Sequence, residues 1–143
     1  MKRIMLRLMA PALVLFVAMG ATATSAHATA TQCDWASGGV QTCLHVVGSG
    51  TYVDGIGLGV GLNPGESTYG HHEVWGDRGA RLYFNTRNGR WTNPHRWQGT
   101  TLWDPGHRIN GSFPNGSRIC ASFWEGSGHP YTRRGIACVN IHR

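Results

Sequence analysis

Along residues 54–65, DGIGLGVGLNPG, apolar side chains recur at every second position. In an extended strand Ile56, Leu58, Val60 and Leu62 share one face, and Gly55, Gly57, Gly59 and Gly61 share the other. The aliphatic face must meet a core, and the glycine face lets something approach the backbone closely. A neighbouring strand, a loop or a tryptophan ring would satisfy it structurally; a sugar ring or peptide strand would satisfy it as a ligand. The spacing is G-x-G-x-G with no helix behind it, which excludes a nucleotide-binding loop. The same period of two recurs elsewhere. TCLHVV (42–47) sets Leu44 and Val46 against Cys43, His45 and Val47. HEVW (72–75) predicts a short strand, and ARLYFN (80–85) one with Leu82 and Phe84 opposite Arg81 and Tyr83. Asn88-Gly89 predicts a hairpin turn leading to Trp91. TTLW (100–103) runs into the turn Asp104-Pro105-Gly106, and Pro114-Asn115-Gly116 marks another turn. Asn110-Gly111-Ser112 and Asn115-Gly116-Ser117 match the glycosylation sequon and read as turns. RICASFW (118–124) and GIACVNIH (135–142) both alternate, and the polar linker between them predicts an antiparallel hairpin. No window holds apolar residues at helical spacing over several turns. About seven short strands therefore predict an all-β domain, a small antiparallel β-sandwich or barrel.

The first 28 residues stand apart from this pattern. Lys2, Arg3 and Arg7 precede an apolar stretch, and Ala26-His27-Ala28 carries the small residues of a cleavage site. Residues 1–28 read as a removable secretory signal peptide and 29–143 as a single secreted domain with no membrane span of its own. Removing the leader leaves ten arginines, no lysine and seven carboxylates, a balance of +3. That mild positive charge favours adhesion to anionic polymers but is no nucleic-acid footprint. All four cysteines lie in the exported part, where an even count reads as two disulfides. The local pairings Cys33–Cys43 and Cys120–Cys138 are preferred, because each closes a short segment rich in turn residues.

Candidate chemistry narrows the picture mainly by exclusion. In His71-His72-Glu73, the first and third side chains share a strand face while His72 points away. Two ligands on one strand make no metal site, and a third would have to come from His95, His107 or His129. No metal and no cofactor are expected. There is no G-x-S-x-G elbow and no H-E-x-x-H, and Glu66, Glu73 and Glu125 are spread along the chain. The six tryptophans all lie beyond the leader. Some must serve the core. Trp91, Trp97 and Trp103, with Arg96 and Arg108 among them, make a loop-rich segment suited to an extracellular glycan, a wall polymer or a protein partner.

Two enzyme-inhibitor and enzyme alternatives rest on resemblance. STYGHHEVWGDRGAR (67–81) resembles the strand of secreted guanyl-specific microbial ribonucleases. That likeness implies Glu73 as general base, Arg78 or Arg81 at the phosphate, and His95, His107 or His129 as acid. The length and local cysteine pairing are similar to those of secreted two-disulfide protease inhibitors of actinobacteria, which implies that the 125–134 loop presents Tyr131, Arg133 or Arg134 to a protease. With leader, two disulfides and all-β body, the chain as a whole resembles the small exported β proteins of that group. The expectation is a secreted, non-enzymatic binding protein, extracellular, recognising its ligand through Trp91, Arg96, Trp97, Trp103 and Arg108.

Overall fold

A computed structural model describes residues 29–36 and 38–143 of the chain; the predicted signal peptide lies outside them. The described residues form ten strands and no helix: β1 (Ala30–Trp35), β2 (Gln41–Ser49), β3 (Tyr52–Leu62), β4 (Ser67–Asp77), β5 (Tyr83–Asn85), β6 (Gly89–Thr92), β7 (Thr100–Trp103), β8 (His107–Ser112), β9 (Arg118–Glu125) and β10 (Thr132–Asn140). They make two antiparallel sheets. One runs β1-β2-β3, with β7 and β8 both paired to the far side of β3. The other runs β10-β9-β4, with β5 and β6 both paired to the far side of β4. The chain crosses between sheets after β3, β6 and β8.

The core lies between the sheets. Leu44, Val46, Ile56 and Leu58 from the first meet Val74, Ile119, Ala121, Ala137 and Val139 from the second, all sealed from solvent. Phe123 anchors a second cluster with Val40, Val60 and Leu62. Each buried Val, Leu, Ile or Phe among them contributes about 1.5–3 kcal/mol. The alternation read for β3 holds over its whole length, with Ile56, Leu58, Val60 and Leu62 buried. Both expected disulfides form, Cys33–Cys43 between β1 and β2 and Cys120–Cys138 between β9 and β10.

Along one side the sheets are stitched together. The Thr42 hydroxyl donates to the Arg134 carbonyl and accepts from the Phe123 amide at 3.2 Å. The Ile136 amide donates to the Asp34 carboxylate at 2.8 Å. A bulge in β10 at Gly135, whose φ is +64°, brings that strand against β1.

Several local expectations change. The strand expected at 72–75 extends to eleven residues as β4. The strand expected at 80–85 shortens to Tyr83–Asn85, because Arg78 and Gly79 adopt positive φ and the turn holds the Leu82 carbonyl on the Gly76 amide. Asn88-Gly89 is not a hairpin turn: β5 and β6 run in the same direction along β4, so they are two pieces of one interrupted strand. Residues 110–112 lie within β8 rather than in a turn, although Asn110 keeps a left-handed φ of 48°. β1 carries no alternation to betray it and is held by its pairing and its disulfide.

Candidate functional site

The interruption between β5 and β6 shapes a cleft on the outer face of the second sheet. The Thr86 amide donates to the His72 carbonyl, and the Thr86 hydroxyl accepts from the His72 amide, both at 2.9 Å. One threonine thus stands in for a strand pair, and the next two residues bulge away. Period two then turns His71 and Glu73 outward on either side of His72. The register sets His71 opposite Trp124 on β9 and Glu73 opposite Asn85 on β5. The β9–β10 hairpin returns over this surface with His129, Pro130 and Tyr131. These residues enclose about 450 Å³, within the range of small-ligand sites.

The cleft is pre-arranged by a hydrogen-bond network. The Tyr83 hydroxyl donates to Glu73 Oε1 at 3.0 Å, and the Trp124 indole donates to Glu73 Oε2 at 2.8 Å. Both carboxylate oxygens are therefore fixed in position while keeping lone pairs for a further donor. His71 Nδ1 donates to Asn88 Oδ1 at 2.7 Å, and Asn88 Nδ2 donates to the Tyr131 hydroxyl at 3.0 Å. With Nδ1 engaged by Asn88, the Nε2 side of the His71 ring is left for another partner. The Tyr131 ring stands edge-on to both His71 and His129, with centroids 4.8 and 4.7 Å apart. Arg133 lies over the Trp124 ring, 5.8 Å from its centroid. At the base of the hairpin, Arg134 pairs with Glu125 at 2.7 Å. Burial alone would raise the Glu125 carboxyl, but the hydrogen bonds from Thr68 and Arg134 outweigh it and bring the group below its usual range.

Beneath the cleft, His72 points into the core. Its Nε2 donates to the Gly59 carbonyl at 3.3 Å, which leaves Nδ1 as a buried lone pair without a hydrogen-bond partner. Burial pushes its pKa down to about 4, with the Gly59 bond opposing the shift only in part. Trp91 and Phe123 pack against the ring at centroid distances of 5.6 and 5.2 Å.

The five predicted binding residues fall in three places. Trp91 faces inward against His72 and Phe123. Arg96 and Trp97 sit on the crossing from β6 to β7, where Trp97 is 88% exposed. Buried Asn93 ties that crossing down: its amide group donates to the carbonyls of Leu62, Asn63 and Gln98, and its Oδ1 accepts from the His95 amide. Trp103 and Arg108 flank the interruption between β7 and β8 and line a separate groove. Arg133 and Arg134 lie in paired positions of β10, opposite Trp124 and Phe123, rather than at the hairpin tip. Of the residues in the ribonuclease-like reading, Glu73 and His129 share the cleft, while Arg78 sits in the β4–β5 turn. Among the described residues no group of three or more His, Cys, Asp or Glu side chains is placed to hold a metal ion. Trp124, Asn85 and Pro130 are the cleft residues that sequence reasoning missed, while Tyr131 was expected only as a protease contact. Only Trp124 gave a usable signal, as an aromatic ending an alternating strand.

Two disulfides in a small β domain are compatible with an extracellular location. Among the described residues no helix is long and apolar enough to cross a membrane. No family model, curated protein or solved structure matches this chain.

Proposed function

We propose that the protein is a secreted, non-enzymatic binding protein that holds a segment of an extracellular glycan in the cleft between Trp124 and Tyr131. The observation that carries this reading is the combination of aromatic walls with fixed polar groups. Trp124 and Tyr131 line the cleft with aromatic surface suited to a sugar, and Glu73, Asn85 and the histidines supply hydrogen-bond partners for its hydroxyls. Tyr83, 65% exposed beside Glu73, extends the aromatic surface beyond the cleft mouth. These polar groups are held in place by one another, so little ordering opposes binding.

The test is retention of the oxidised protein on insoluble peptidoglycan, chitin and cellulose at low and high salt. The expected result is retention on at least one polymer that persists at high salt and weakens about 30-fold in Trp124→Ala. Glu73→Gln should weaken it less. Recovery in the unbound fraction on all three polymers overturns the glycan reading. Loss in Trp97→Ala with Trp124→Ala unaffected moves the site to the β6–β7 crossing. A second reading is favoured by Glu73 and His129 lining one cleft: general base and acid for phosphodiester cleavage. RNA cleavage by the wild type, lost in Glu73→Gln, is the outcome that supports it.

A further inference from the structure

The outer face of the first sheet carries a groove of about 400 Å³ that the proposed glycan cleft does not use. Its wall is Trp103, its rim Arg108, His107 and His45, and its floor the β3 backbone at Gly57. Trp103 packs one ring face against the strand yet stays 45% exposed. His45 stands edge-on to it with centroids 6.1 Å apart. The one carboxylate in the groove, Asp104, is spent internally. Its Oδ1 accepts from the amides of Leu58 and Gly106 at 3.0 and 3.1 Å, and its Oδ2 meets His107 Nε2 at 2.5 Å. Arg108 has no acidic partner among the described residues. The groove therefore presents an uncompensated cation beside an open aromatic face.

The four glycines of β3 differ in how tightly their outer face is covered. A methyl group added at Gly55, Gly59 or Gly61 would come within 3 Å of a neighbour: the His107 carbonyl, Thr101 and Gln41 respectively. At Gly57 it would meet nothing closer than 3.6 Å, an ordinary contact with Trp103. Packing accounts for three of the four glycines. The fourth, Gly57, lies beneath Trp103 and His45 at ordinary contact distance with room for a methyl group, although glycine is a poor choice for a strand interior. A peptide strand has nothing to pair with there, because β3 is already bonded to β2 on one side and to β7 and β8 on the other. A sugar ring with a negative substituent fits the chemistry.

We propose that this groove is a second binding site, for an acidic sugar: the pyranose ring stacks on Trp103 over Gly57, and its carboxylate meets Arg108. It deepens the glycan reading by naming a carboxylated sugar, but it occupies the opposite face of the sandwich and is testable alone. The probe is an oligogalacturonate, with a cello-oligosaccharide of equal length as its neutral counterpart. Binding is read by tryptophan fluorescence and calorimetry. The acidic probe should bind more tightly than the neutral one. Trp103→Ala should weaken it by about tenfold or more and Arg108→Gln by about fivefold. Gly57→Val should block it by filling the floor. Gly57→Ala, which the surrounding space accommodates, serves as the variant with an unchanged fold and should still weaken binding. Trp124→Ala should leave it unchanged, which keeps this test independent of the first cleft. Binding unaltered in Trp103→Ala and Gly57→Ala overturns the site. Loss in Trp124→Ala with Trp103→Ala unaffected overturns it too, by moving the acidic sugar to the other face. Equal affinity for the two probes overturns the role given to Arg108.

Discussion

β3 and β4 are each eleven residues long, and each has an outer partner broken into two pieces. At both breaks one residue replaces a strand pair. Asp104 donates its amide to the Leu58 carbonyl and accepts the Leu58 amide on its side chain. Thr86 does the same with His72. In both, the pinned residue points into the core and its neighbours point out beneath the break. The backbone device is shared, and the outward neighbours decide the chemistry. Gly57 and Gly59 let a tryptophan ring lie close on the strand; His71 and Glu73 build a polar network under a hairpin. The inner partners differ as well, since Leu58 suits the core and His72 must be kept neutral to stay there. A common scaffold thus yields one apolar, cationic groove and one cleft dense in hydrogen bonds.

The largest expected effects come from the covalent links that anchor each sheet. Replacing Cys33 and Cys43, or Cys120 and Cys138, by alanine should cost about 3 kcal/mol in urea unfolding. The second pair should cost more, because it closes a separation of 18 residues against 10. Equal losses would show that loop closure does not set the difference. Next is acid sensitivity. His72 binds its proton less readily folded than unfolded, so between pH 6.5 and about 4 the unfolded state takes up more protons. Stability should be full above pH 6.5 and fall by about 3 kcal/mol as pH drops through that window. His72→Leu makes the second sheet match the first at this position and should flatten the curve. An unchanged slope in that variant would assign the sensitivity to another group. The breaks themselves separate at smaller scale. Asp104→Ala strips a buried amide of a charged acceptor and should cost about 2 kcal/mol, whereas Thr86→Val removes a neutral one and should cost about 1 kcal/mol. A larger loss in Thr86→Val would reverse the ranking of the two pins.

What was legible followed local pattern. The period of two in β3, β9 and β10 is visible because one face of each is sealed in the core. The cysteine pairing is visible because each bridge links neighbouring antiparallel strands close in sequence. Of the broken strands, β7 is visible as TTLW, but the way the pieces pair is not. β5, β6, β7 and β8 are three to six residues long; β5 follows β4 through an adjacent turn, but β6, β7 and β8 find their partners on β4 and β3 across longer separations. Asn88-Gly89 has the composition of a hairpin turn, yet the Asn88 side chain serves His71 and Tyr131. At the cleft, the shared face of His71 and Glu73 follows from strand geometry alone. Trp124 joins them through register and Tyr131 through the return of a hairpin, and neither relation is written in the local pattern. Asn93, which fixes the Trp97 crossing, reads in the sequence only as part of a polar loop.

The two interrupted strands have a consequence for the solution behaviour of the protein. A β-sheet that ends in a straight, open strand offers its unpaired amides and carbonyls as a template for another chain, the usual route to aggregation. Here β1 and β10 meet along one side and tie to each other through Asp34 and Ile136. On the other side each sheet terminates in a strand that changes course halfway, with Asp104-Pro105-Gly106 in one and residues 86–88 in the other. No long, uninterrupted ladder is left open there for a second copy to extend. The kinks that shape the two recesses also blunt the ends of the sheets.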